Sequence, residues 1–273
     1  MTRLSAASAK HLVLILLSVA SLYPVWFIVQ TALKTPDAYT KDPTGLPTAP
    51  TLSNFGDVFR TLSFGRWTVN SVLVTVVAVM VAMLFAVLAA YAVAFGDFFG
   101  ARAFLNVNIS LMALPPVALV VPLFTVMVSL GLINTLPSVM LVYAGLLIPF
   151  SVFFLVNFFR ELPGELIEAA LMDGASHVRI LFKIVIPLSA ASMFTLIIVN
   201  AIWVWNELLF ALVLLQNDSQ RTVMAGLALS QGRYATNEPL VMAGGFLAIV
   251  PLLLLYAAGQ RFFVRGLTAG IGK

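Results

Sequence analysis

Residues 160–187 read RELPGELIEAALMDGASHVRILFKIVIP, and seven of these positions are charged: Arg160, Glu161, Glu165, Glu168, Asp173, Arg179 and Lys183. The 57 residues before them, Ala103 to Phe159, carry no charge at all. At about 1.5 Å per helical residue against a hydrocarbon layer of roughly 30 Å, that run is too long for one membrane crossing and suits two. So charged a segment between apolar runs has to face water, and what it shows to water decides the reading of the whole chain.

Local signals divide the insert into two short helices with a bend. Pro163 suits a first helical position, Gly164 to Met172 are good helix formers, and Gly174 ends the first helix because glycine adopts left-handed backbone angles without penalty. Ser176 is a capping residue for a second helix, which Pro187 is expected to stop because it lacks an N–H. At about 100° per residue Ile167, Ala170 and Leu171 share one face of the first helix, and Glu165, Glu168, Ala169 and Met172 the other. Val178, Leu181, Phe182 and Val185 repeat the apolar register in the second. Two uses fit such a pair: lying on lipid headgroups, or docking a soluble partner, with Ala169 small enough for close approach.

Outward from the insert, composition fixes the class. The chain is 61% hydrophobic and 10% charged, with a mean hydropathy of +1.04, which belongs in a bilayer. It has no cysteine, which excludes disulfides, thiolate metal sites and cysteine nucleophiles. His11 and His177 stand alone at the membrane margins and do not suggest a metal site. The net charge of +4 reads as loop charge facing lipid, not as a nucleic-acid patch. The chain has no G-x-x-x-x-G-K-[ST] phosphate loop and no nucleophile constellation, so no catalytic residue is assigned.

Six spans are expected, at about residues 12–33, 68–95, 104–130, 138–159, 188–215 and 240–260, in a single all-α, polytopic membrane domain covering 1–273. The first is too long for a signal peptide and has no cleavage site; Pro24 is expected to kink it. Residues 34–68 form an external loop whose later part, Leu52 to Trp67, suits a short interfacial helix. Gly131 to Pro137 turn between spans three and four, where Pro115, Pro116, Pro122 and Pro149 free carbonyls and bend the helices. Residues 216–239 form the last external loop, and 261–273 a tail. This places both termini in the cytoplasm, with nine Lys and Arg in inner segments and six in outer ones.

Inside the spans, Glu207 is the lone well-embedded charge. A carboxylate there has to be paired or reach water. Whether it touches a substrate or locks helices together stays open. Asn70, Asn200 and Asn206 are the other polar candidates for a substrate pathway, among groups (Ser71, Thr75, Ser110, Asn157) that equally suit contacts between helices.

Glu168-Ala169-Ala170, Gly174, Ile184 and Ile186-Pro187 fall at the spacing of the EAA signature, and the chain resembles permease subunits of bacterial ATP-binding-cassette (ABC) importers. It departs in having Ile186 where leucine is usual. Arg66-Trp67, Asn70-Ser71, Ala89 to Ala92, Pro115-Pro116-Val117, Leu130-Gly131, Asn134-Thr135, Trp205-Asn206-Glu207 and Arg265 to Gly270 extend the likeness to the carbohydrate-import branch, and to its smaller maltose-type subunit. The resemblance implies a type I ABC importer permease fold in the inner membrane. It makes 160–187 the coupling loop, with Glu165, Glu168, Ala169, Ala170, Met172, Asp173 and Gly174 toward the ATPase. It places Arg265, Gly266, Leu267 and Thr268 near the interface of two ATPase copies. It also implies a sister permease, an extracytoplasmic solute-binding protein that loop 216–239 reaches, and ATP with magnesium held by the ATPase, with no cofactor in this chain. The rival reading is an ion-coupled secondary transporter or channel using Glu207; the lack of an internal repeat and the long charged loop speak against it.

Overall fold

A computed structural model describes residues 2–96, 98–233 and 237–269, and every regular element in them is helical. Helices α1 (Thr2–Ala32), α2 (Pro36–Lys41) and α3 (Ser53–Thr61) precede the long α4 (Phe64–Phe95). Then come α5 (Ala101–Met112), α6 (Pro116–Ser129), α7 (Leu136–Arg160), α8 (Gly164–Met172) and α9 (His177–Leu188). The chain continues through α10 (Ala190–Asn206), α11 (Leu209–Leu214), α12 (Val223–Arg233) and α13 (Glu238–Ala269). Among the described residues four helices are long and apolar enough to cross a membrane, and two bent pairs bring the possible total to six.

Two compact units divide the chain, residues 1–66 with 226–251, and 67–225 with 252–273. In the first, the segment between α1 and α3 closes on Lys34, whose ammonium is buried and donates to the carbonyls of Asp42 and Pro43 at 2.8 and 3.0 Å. Asn54 donates to the carbonyls of Ala32 and Lys34, both at 2.7 Å, so the buried polar groups here hold the turn closed. The amphipathic run expected at Leu52–Trp67 shortens to α3, which buries Val58 and sets Phe55 edge-on to Phe246 of α13.

The second unit is organised by two stripes at helical spacing. Ala78, Ala82, Ala86 and Ala90 of α4 are fully buried, and Val139, Tyr143, Leu147, Leu155 and Phe159 of α7 belong to the same apolar cluster. Small residues every fourth position let helix backbones approach closely, the usual means of packing where lipid removes the hydrophobic drive. Helices α5 and α10 pack on α7, and α11 on both α6 and α7.

The structure refines four of the expectations. The bend expected at Pro115 and Pro116 breaks the third span into two helices, α5 and α6, which meet at 97° because these prolines supply no N–H to the preceding turn. Span five is broken as well, since α10 ends at Asn206 and Glu207 is extended at φ −68°, ψ 126°. The supposed loop 216–239 contains α12, with Val223, Ala225 and Leu227 buried. The tail continues α13 without a break to Ala269. Pro24 and Pro149, by contrast, sit inside unbroken helices.

Candidate functional site

In the charged insert Pro163 is the residue before the first helical position, not in it, and α8 ends in a Schellman motif. Gly174 has φ +78°, its N–H bonds the Leu171 carbonyl at 2.9 Å, and the Ala175 N–H reaches back to Ala170 at 3.0 Å. Nothing lies within 4 Å of where a Gly174 Cβ would stand, so the backbone angle, and not lack of space, is what favours glycine. Ser176 caps α9, accepting from the Arg179 N–H at 3.4 Å.

Ile167 is buried and Ala170 half-buried, whereas Glu165, Glu168, Ala169, Asp173 and Gly174 are exposed and Met172 stands 88% free. Leu171, expected on the inner face, is 41% exposed, since Ile167 fills the short contact that one nine-residue helix makes. The second helix departs further: Ile180, Leu181 and Val185 are buried, but Val178 and Phe182 face out at 66% and 57%. Between Leu181 and Val185 the helix widens to a π turn, with the Ile186 N–H bonding the Leu181 carbonyl, and the wider turn rotates Val185 out of line with Val178 and Phe182. Pro187 therefore does not stop the helix. The chain instead bends by 78° one residue after Leu188, at the fully buried Ser189.

Beyond that bend, α10 carries the polar candidates, and the structure sends them different ways. The Glu207 carboxylate heads α11: Oε1 accepts from the Leu209 N–H at 2.8 Å, both oxygens take the Phe210 N–H at 3.2 Å, and Oε2 accepts the Tyr143 hydroxyl. A carboxylate before a helix start satisfies orphan amides and suits the helix dipole. Asn206 is exposed, its amide folded onto the Ile202 carbonyl at 2.8 Å. Asn200, 1% exposed, donates to Ser151 Oγ at 2.9 Å. Asn70 is far along the chain and engaged elsewhere, donating to the carbonyls of Ser219 and Arg221 at 3.0 and 2.9 Å.

A cleft of about 530 Å³ joins the helix break to α7 and α10, bordered by Met112, Pro116, Gly145, Phe150, Asn200 and Trp203 among others. Pro149 gives no N–H to the Gly145 carbonyl at this wall. Trp203, held edge-on to Tyr143 at 5.9 Å, presents an aromatic surface. Reading the sequence missed Trp203, Tyr143 and Gly145, because no spacing rule pairs α7 with α10; the i, i+4 distance from Gly145 to Pro149 was the available signal.

The backbone of Arg265, Gly266, Leu267 and Thr268 is helical, and their side chains lie outside the described residues. Among the described residues no group of three or more His, Cys, Asp or Glu is placed to hold a metal ion.

Comparison with known proteins places this arrangement. The chain is 35% identical to the sulfoquinovosyl glycerol transport system permease protein SmoH of Agrobacterium fabrum, over 93% of this chain and 90% of that one. It is 32% identical to the trehalose transport system permease protein SugB of Mycobacterium tuberculosis, over 93% of each. Among solved structures, a chain of a bacterial ABC transporter involved in the import of the acidic polysaccharide alginate superposes with a TM-score of 0.83 at 25% identity, covering 96% of this chain and 98% of that one. Residues 78–269 match the family described as binding-protein-dependent transport system inner membrane component. The chain belongs to that family, as a multi-pass, non-catalytic permease subunit of the ABC transporter type.

Proposed function

We propose that this chain forms half of a carbohydrate-import pathway, driven through residues 160–187 by a separate ATPase and working by alternating access. The observation that carries the coupling role is the glycine-bent helix pair. It presents Glu165, Glu168, Ala169, Leu171 and Met172 outward, and apolar side chains left exposed on a charged, water-facing loop mark a protein-docking surface. Two ATPase copies hold ATP and magnesium, a sister permease completes the pore, and an extracytoplasmic binding protein delivers the solute. Both termini face the cytoplasm, and Arg265–Thr268 approach the ATPase interface. Closing of the ATPase pair moves the loop, and the pore shifts from inward-facing to outward-facing as nucleotide and substrate bias its populations.

The cleft beside Trp203 is this chain's contact with the sugar. Its volume of about 530 Å³ is in the ordinary range for small-molecule sites. An indole face suits the C–H face of a pyranose, and the Gly145 carbonyl and Asn200 accept from hydroxyls. The sugars named for the relatives supply the class. The chemistry assigned to Glu207 by an ion-coupled carrier needs a carboxylate free to exchange ions, whereas this one accepts from backbone amides and Tyr143.

The test is purification of the tagged chain from its host in mild detergent, with mass spectrometry of what accompanies it, then uptake by the reconstituted assembly. A second permease with two ATPase copies, and ATP-dependent sugar uptake reduced at least about tenfold by Trp203→Ala, are expected. The tenfold figure corresponds to about 1.4 kcal/mol of lost contact. Transport by the chain alone without ATP would overturn the reading.

A further inference from the structure

The first helix of the insert, α8, and its bend are flanked on both sides by contacts to a single turn of α4. On the entering side Phe159, the residue before Arg160, stacks on Phe95 with ring centroids 6.4 Å apart and planes 19° from parallel. On the far side His177, the first residue of α9, places Nδ1 3.1 Å from the Tyr91 hydroxyl, with its ring nearly upright against the phenol at 6.1 Å. Tyr91 and Phe95 themselves touch at 5.4 Å, one helical turn apart. Tyr91 is buried while His177 is exposed, so the hydrogen bond crosses from the packed helix to the loop.

Helix α4 then runs unbroken, without proline, from this turn back to Ser71. Those twenty residues span about 30 Å at 1.5 Å each. At that distant end the helix is fixed to the segment before α12. The Trp67 indole donates to the Asp218 carbonyl at 3.0 Å, Asn70 to those of Ser219 and Arg221, and Ser71 Oγ accepts from the Val223 N–H at 2.8 Å. An unbroken helix held at both ends transmits displacement, where the bent pairs α5–α6 and α9–α10 would absorb it.

We infer that Tyr91 and His177 are positioning residues for transport: their hydrogen bond seats the 160–187 loop on α4, so that loop and helix move as one body and displacement of the loop reaches residues 216–223. This rests on the proposed docking of the loop to an ATPase. The contribution is specific to the hydroxyl, because Tyr91→Phe keeps the ring against Phe95 and His177 and removes only the hydrogen bond to His177.

The experiment uses the assembled transporter with its own sister permease and ATPase in lipid nanodiscs. The chain contains no cysteine, so Lys183→Cys on α9 and Val69→Cys near the other end of α4 give one spin-labelled pair, once cysteines of the partner subunits are replaced. Electron–electron distances are recorded before and after ATP with vanadate. With Tyr91 and His177 intact, one distance persists through the nucleotide change. In Tyr91→Phe and in His177→Ala a second population appears on adding ATP and vanadate, the ratio of seated to unseated loop falling about two- to tenfold, as one neutral hydrogen bond allows. His177→Gln, which keeps a hydrogen-bonding partner for the hydroxyl, restores the single distance, and the double variant is no worse than either single one. An intact pair whose distance changes as much as that of Tyr91→Phe, or a Tyr91→Phe distance indistinguishable from the intact one, overturns the inference. Recovery of the ATPase with every variant separates these outcomes from failure of the docking reading, in which the ATPase is lost from all samples alike.

Discussion

Two loops of this chain are built on opposite plans. Residues 216–222 use their polar groups on their own unit. Asn134, at φ +63°, accepts the N–H groups of Gln216 and Asn217 through Oδ1 at 2.6 and 3.0 Å, Arg221 pairs with Asp218 at 2.9 Å, and Trp67, Asn70 and Ser71 hold the rest. Residues 160–187 leave Glu165, Glu168 and Asp173 in the open and expose Leu166, Leu171, Met172, Val178 and Phe182. A loop that satisfies itself is a fixture, and one that leaves apolar side chains and carboxylates outward awaits a partner. Under the proposed function, the difference separates a part that holds shape from a part that receives force.

The comparison breaks most sharply at Gly174. Gly174→Val places a β-branched residue at φ +78°, and uptake is expected to fall at least about tenfold, because left-handed angles cost such a residue more than about 1 kcal/mol and the bend must move. Membrane insertion stays normal, and Gly174→Asn, which tolerates that angle and meets no steric obstacle, retains most uptake. Glu207→Ala comes next: loss of a carboxylate accepting several hydrogen bonds is expected to lower stability by about 3 kcal/mol, read from thermal unfolding in detergent. Tyr143→Phe falls below it, leaving the helix cap in place. Asn70→Ala should cost about 1–2 kcal/mol and speed proteolysis between residues 216 and 222, sharpening the contrast, since no such cut should depend on the inner loop. Met172→Ser is expected to change unfolding by less than about 0.5 kcal/mol while weakening ATPase recovery; a large loss of stability there would mean the inner loop is also a fixture.

What was legible in the sequence follows the same division. The bend at Gly174 and the cap at Ser176 depend on backbone chemistry within a few residues, and both stand where the sequence places them. The exposed carboxylates of α8 follow from helical periodicity. The π turn at Leu181–Val185 was not legible, because the period changes inside the helix and a fixed 100° step carries Val178 and Phe182 to the wrong face. The break after Asn206 was hidden because an apolar run continues to Leu215. The capping use of Glu207, whose carboxylate also takes the hydroxyl of Tyr143 from a helix more than sixty residues earlier, accounts for the unwinding there. Asn70 and Asn200 looked alike as polar residues in apolar helices; tertiary contacts put one on a loop and the other beside a cleft.

The docking role of the inner loop is tested most directly by photocrosslinking from single introduced cysteines, which the cysteine-free chain permits. Met172→Cys and Asn217→Cys, each carrying a short benzophenone, would be irradiated in the assembled transporter. The account predicts that Met172→Cys captures the ATPase subunit and that Asn217→Cys does not. Equal capture from both positions, or none from Met172→Cys while the ATPase co-purifies, would contradict it.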